Sequence, residues 1–159
     1  MDLKIKGKNA FITGGTRGLG LASLKSLASE GVNIAYCSRS EEGIKNVDEY
    51  LSNFDVKSFG FVHEINSNDN NINELVKKID ENFGNIDILV NNVGGSLGSS
   101  SLLDNDIETY MNVFNINFWS SVKLMKIYSE RMVLNGWGRV INIASIFGRE
   151  YGGKSSSYM

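Results

Sequence analysis

A short apolar run over residues 9–13 leads straight into Thr13-Gly14-Gly15-Thr16-Arg17-Gly18-Leu19-Gly20, and a helical pattern starts before the turn is finished. Few backbone geometries tolerate that arrangement. Glycine reaches positive φ without a Cβ penalty and lets another group come close to the main chain. A strand that turns tightly into a helix exposes the first N–H groups of that helix, which have no intrahelical acceptor, and the positive end of its dipole. Such an end is suited to phosphate. The feature predicts a strand–turn–helix unit with an anion site at the turn. Taken alone, the segment is also compatible with a glycine-rich turn that holds no ligand.

The rest of the chain repeats the alternation. Leu21, Leu24, Leu27 and Ala28 recur at helical spacing until Gly31 stops them, so a helix is expected over residues 19–30. A strand is expected over 33–37. Ile44, Val47, Leu51 and Phe54 mark a second helix, and 57–63 a third strand. Ile72, Leu75, Val76, Ile79 and Phe83 mark a third helix closed by Gly84. Residues 86–90 read as a fourth strand, with Asp87 interrupting its apolar run. A Gly/Ser-rich loop covers 94–101. A long helical region in two pieces is expected over about 104–135, and a fifth strand over 139–143. Strands alternating with helices predict one α/β domain over 1–159, a doubly wound parallel sheet in three layers. Apolar runs without alternation suit strands buried on both faces.

Composition narrows the partners. The net charge of −2 leaves no basic surplus for nucleic acid. No apolar run approaches the roughly 20 residues of a membrane span, and residues 1–8 lack a signal-like apolar stretch. The single cysteine, Cys37, forbids an internal disulfide and fits a reducing, cytoplasmic setting. With one histidine, His63, beside it, a zinc site is not expected.

The order and spacing of several motifs resemble the classical short-chain dehydrogenase/reductase family. The turn has the form T-G-x-x-x-G-x-G. Residues 87–94 read DILVNNVG, similar to the family's N-N-A-G motif with Val93 in place of alanine. Residues 115–121 (NINFWSS) resemble the segment carrying a catalytic asparagine, which points to Asn117, with Asn115 as a competitor. Residues 138–148 (GRVINIASIFG) resemble the fifth strand and serine loop, which puts Ser145 at the serine position. Tyr158 follows thirteen residues later.

The resemblance implies a Rossmann-type fold lacking the last strands of the family sheet. It also implies hydride transfer between a nicotinamide cofactor and a small carbonyl or alcohol substrate. Asn117, Ser145 and Tyr158 would be catalytic. Gly14, Thr16, Arg17, Gly18, Leu19, Gly20, Ser38, Arg39, Glu64, Ile65, Asn92, Val93 and Gly94 would bind cofactor, and no metal is implied. A tyrosine near pKa 10 is a poor acid–base group at neutral pH without a nearby cation. The family supplies a lysine four residues later, at position 162, beyond Met159. The 159-residue chain by itself is therefore expected to be inactive, and its unpaired sheet edge to favour aggregation.

Dehydrogenases that prefer NAD(H) place an acid at the end of the second strand. Ser38 stands there, followed by Arg39, with Arg17 in the turn. That predicts a preference for NADP(H) over NAD(H). The subgroup most resembled is 3-oxoacyl-carrier-protein reductase. The alternatives are a sugar or polyol dehydrogenase, a catalytically inactive nucleotide-binding remnant, and a protein-interaction scaffold. Family members are commonly homodimers or homotetramers that use the long helix before the fifth strand and the helix after the tyrosine.

Overall fold

The computed structural model describes residues 2–98, 100–150 and 155–158. Five strands form one parallel sheet: β1 (Asn9–Thr13), β2 (Asn33–Ser38), β3 (Ser58–Val62), β4 (Ile88–Asn91) and β5 (Arg139–Asn142), in spatial order β3-β2-β1-β4-β5. The helices between them are α1 (Gly18–Ser29), α2 (Glu41–Leu51), α3 (Asp69–Asn82), α4 (Ile107–Phe114) and α5 (Ser120–Leu134). A π-helical turn, Asn115–Trp119, joins α4 to α5, and a short 3-10 turn, Ile146–Gly148, follows β5.

The two-residue period of the strands divides the core. Ala10 and Ile12 of β1, with Ile34 and Tyr36 of β2, pack against Leu24 of α1 and Ile44 and Val47 of α2. Phe11, Ala35 and Cys37 point the other way, onto Leu75 and Ile79 of α3 and Leu124 and Tyr128 of α5. The result is three layers around a doubly wound sheet, the Rossmann-type arrangement expected from the alternation. Each side chain the size of Phe11 or Ile12 contributes roughly 1.5–3 kcal/mol by leaving water.

Several expected details differ. β5 is exposed at all four residues, and β3 is only partly covered, because these are the two edges of the sheet and not its centre. Asp87 lies before β4 rather than inside it. Its carboxylate accepts the Asn9 amide at 2.9 Å and faces Lys8 at 3.8 Å, so it marks the strand's start. The second helix ends at Leu51; Phe54 closes a turn beyond it by donating to the Leu51 carbonyl. The third helix is closed as expected, with Gly84 at φ +108 donating its amide to Ile79.

Candidate functional site

The connection from β1 leads to α1 on one face, and the connections beside β4 lead to the other. A crevice opens at that switch of direction, at the carboxyl ends of the strands, where α/β sheets bind ligands. Here it is a cleft of about 1130 Å³. Of the expected cofactor residues, Gly14, Thr16, Arg17, Gly18, Leu19, Ser38, Arg39, Glu64, Ile65, Asn92, Val93 and Gly94 line it. So do Asn117, Ser145 and Tyr158.

The glycine turn forms one wall. Gly14 and Gly18 have φ of +69 and +55, which side chains disfavour. A Cβ at Gly18 would meet nothing within 4 Å, so the backbone there borders open space. Arg17 precedes α1 without a side-chain cap, and no acidic residue occupies the first turn. In contrast, Ser40, Asn68 and Asp106 cap α2, α3 and α4, and each of those helices carries an acid in its first turn. The N-terminus of α1 thus keeps N–H groups and positive partial charge for an anion. A pyrophosphate fits a wall of this kind.

Gly20, also expected to contact cofactor, is buried behind that wall. A Cβ there would come within 2.3 Å of the Gly14 carbonyl and 2.5 Å of Asn92 Nδ2. Its role is to let α1 close against the turn. Asn92 completes that joint: its Nδ2 donates to the Thr13 and Gly14 carbonyls at 2.9 and 3.2 Å. Thr13 Oγ1 in turn accepts the Asn92 and Val93 amides at 2.8 and 3.0 Å. The N-N-V-G motif therefore stitches the glycine turn to β4.

At the far end of the cleft, Thr16 Oγ1 and Ser38 Oγ are 2.7 Å apart, and Ser38 Oγ accepts the Ser40 amide at 3.2 Å. Arg39 lies 3.3 Å from Glu64. Sequence reasoning passed over His63 as a cleft residue. It lines the cleft, its amide donates to the Ser38 carbonyl, and its Nε2 is buried without a partner among the described residues. Its position at the end of the third strand was the available signal. Cys37 also lines the cleft, but burial pushes its thiol up to about 12 while the Gly14 amide pulls more weakly the other way. A thiol held protonated by burial in this way is a poor nucleophile at neutral pH.

The remaining wall carries the expected catalytic groups. Asn117 lies in the π turn. Its Oδ1 accepts the Gly95 amide at 2.9 Å, and its Nδ2 donates to the Gly95 and Val113 carbonyls at 2.8 and 2.7 Å. A Cβ on Gly94 would stand 2.5 Å from Asn117 Oδ1, so a glycine there allows the approach. Asn115, the competitor, turns away and accepts from Ser67 Oγ at 2.8 Å. Ser145 caps the short turn after β5, accepting the Phe147 amide at 3.3 Å. Tyr158 follows a segment anchored at Ser156, whose amide donates to the Ser100 carbonyl at 2.9 Å and whose hydroxyl meets Asn105 and Tyr110. Among the described residues no group of three His, Cys, Asp or Glu side chains is placed to share a metal ion.

Fold and cleft together define a Rossmann-type domain whose glycine turn faces a serine and a tyrosine across one crevice. Residues 8–159 match the short chain dehydrogenase family, and the chain belongs to it. It is 33% identical over 149 residues to a 3-oxoacyl-(acyl-carrier-protein) reductase of Aquifex aeolicus, covering 93% of this chain and 59% of that protein. An uncharacterized oxidoreductase of Bacillus subtilis is 33% identical over 148 residues, 91% of this chain and 54% of its own length. Among solved structures, NAD+-bound xylitol dehydrogenase superposes with a TM-score of 0.87 at 26% identity, covering 98% of this chain and 59% of that one. Actinorhodin polyketide ketoreductase with NADPH gives 0.84 at 28%, covering 96% and 58%. The chain spans less than two thirds of each of these relatives.

Proposed function

We propose that this chain is the nucleotide-binding and catalytic-face portion of an NADP(H)-dependent oxidoreductase acting on a small carbonyl or alcohol, with a 3-oxoacyl thioester as the leading substrate. The observation that carries the reading is one shared crevice: the uncapped start of α1 opens onto the same space as Ser145 and Tyr158. A bound nicotinamide would supply or accept the hydride. The chain's own groups would do the rest. Backbone amides at Gly18 and Leu19 would hold the pyrophosphate. Ser145 would donate a hydrogen bond to the substrate oxygen, and Tyr158 would pass a proton to or from it. Asn117 would hold the Gly94–Gly95 loop against the cleft.

NADP(H) over NAD(H) is argued from the charge at the ribose end. Ser38 leaves the acidic position neutral, and Arg17 and Arg39 supply cations. The two solved relatives above were captured with different cofactors, so this chain's own residues carry the choice. Likeness to the xylitol dehydrogenase favours a polyol as the second substrate reading. A cytoplasmic setting is supported by a lone, buried, free Cys37. Among the described residues no helix is long and apolar enough to cross a membrane.

A second copy of the chain is the partner proposed for the α4 face. Ile107, Met111, Phe114 and Phe118 recur there at helical spacing and are exposed.

The test is a version extended through position 162, assayed with NADPH and NADH against 3-oxoacyl thioesters and polyols. We expect NADPH-dependent thioester reduction, and Tyr158→Phe should lower kcat by about 100-fold or more, the range of general acid–base groups. Unchanged turnover in that variant would remove Tyr158 from the chemistry.

A further inference from the structure

Glu64 is the sole carboxylate lining the cleft among the described residues, and Arg17 and Arg39 are its two cations. The carboxylate is already engaged by one of them: Arg39 Nη1 donates to Glu64 Oε1 at 3.3 Å. Arg17 has no ion-pair partner among the described residues. The pairing is built into the backbone. Ser38 and Val62 stand in register across β2 and β3, and the His63 amide donates to the Ser38 carbonyl. Asn71 of α3 donates to the Glu64 carbonyl at 3.0 Å. The chain past each strand end therefore brings Arg39 and Glu64 face to face.

Resting on the nucleotide-binding reading above, we propose that Glu64 is a specificity-determining counter-ion that competes with the ribose 2′-phosphate for Arg39. A phosphate group and a carboxylate seek the same planar fork of N–H donors. Both side chains are mostly exposed, at 65% and 71%, so Arg39 is free to exchange one anion for the other. Whichever anion holds the guanidinium, the second negative charge remains close by. Glu64 thus tempers the preference for a 2′-phosphate that Ser38 and the arginines create. A nucleotide with a plain ribose places no anion there, so Glu64 does not compete with it for Arg39.

The experiment measures direct binding of adenosine 2′,5′-bisphosphate and adenosine 5′-monophosphate to the 159-residue chain by calorimetry. It compares wild type, Glu64→Gln, Arg39→Gln and the double variant. Exposed ion pairs weigh an equilibrium by a factor of about one to five. We expect Glu64→Gln to bind the bisphosphate about two- to fivefold more tightly at low salt, with the gain fading by about 1 M salt as screening shortens the interaction range. The monophosphate should change by less than the bisphosphate does, because it brings no second anion to Arg39. The gain should vanish in the Arg39→Gln background, the signature of a coupled pair. Bisphosphate binding that does not improve in Glu64→Gln, or a gain that survives loss of Arg39, overturns this role for Glu64 and leaves the nucleotide reading intact. No binding of either nucleotide to any variant overturns both.

Discussion

The two halves of the sheet are finished to different degrees. On one side of the switch point, β1 and β2 are enclosed by α1 and α2 on one face and by α3 and α5 on the other, and Phe11, Ile12, Ile34 and Tyr36 have no exposed surface. On the other side, β5 is open along its length, with Val140 and Ile141 at 36% and 43% exposure, and α4 turns Ile107 and Met111 to solvent. Hydrophobic residues are present in both halves. What differs is whether a second layer covers them. β1 and β2, which lead into the glycine turn and the ribose end, are covered on both faces, whereas β5 and α4, beside Ser145 and Tyr158, present apolar surface outward. Identical chemistry in a side chain should therefore have very different consequences on the two sides.

The largest contrast should come from Phe11, stacked on Phe61 and tilted against Tyr128 at ring distances of 6.5 and 6.2 Å. Phe11→Ala should cost about 3–5 kcal/mol in urea unfolding, through lost transfer energy and a cavity. A cost near zero would mean that the enclosed half is not packed as described. Gly20→Ala comes next. Its methyl group must displace the Gly14 carbonyl or the Asn92 amide, and overpacking of that kind costs about 1–3 kcal/mol. The same variant should lose nucleotide binding, because the turn that presents the Gly18 amide would open.

Alkaline unfolding sharpens the comparison further. Burial raises the Cys37 thiol from an ordinary 9.0 to about 12 in the folded chain. The unfolded chain therefore gives up that proton first, and stability present below pH 9 is lost as pH climbs toward 12. Wild type should lose about 1 kcal/mol between pH 8 and 10 from this group, and Cys37→Ala should show a flatter slope over the same window. Equal slopes would mean the thiol is solvated. The smallest effect is expected at Met111. Met111→Gln should shift unfolding by no more than about 0.5 kcal/mol, as exposed substitutions do, yet it should weaken self-association measured by sedimentation. A large loss of stability there would show that α4 is covered within the single chain.

The strands of the enclosed half were readable within a residue or so, because each is an uninterrupted apolar run bounded by glycine or a polar cap. β4 was read one or two residues early. Asp87 looks like an interruption until the Asn9 amide that it accepts is seen, and that partner is 78 residues away. The exposure of β5 was not legible, since Val140 and Ile141 read like any buried strand and only the neighbouring layers decide. In the cleft, motif order located the lining residues but not their tasks. Gly20 and Gly18 are alike in sequence, and only the crowding around a built Cβ separates a packing joint from an open wall. Asn115 and Asn117 likewise differ in what each meets, Ser67 or the Gly94–Gly95 loop. The Arg39–Glu64 pair joins two strand ends 25 residues apart, beyond the reach of any local pattern.

The π turn at Asn115–Trp119 has a consequence for how this stretch tolerates change. An ordinary helix advances about 100° per residue, and a wider turn falls short of that, so everything after it is rotated back relative to what came before. That rephasing is what allows α4 to aim Met111 and Phe114 outward while Ser120, Leu124, Tyr128 and Met132 of α5 all meet the sheet. Removing one residue between 115 and 119 would swing the whole of α5 off its bearing, while exchanging Phe118 for another side chain would leave every angle as it was. Asn117 apart, the number of residues in this turn is a stricter specification than their identity.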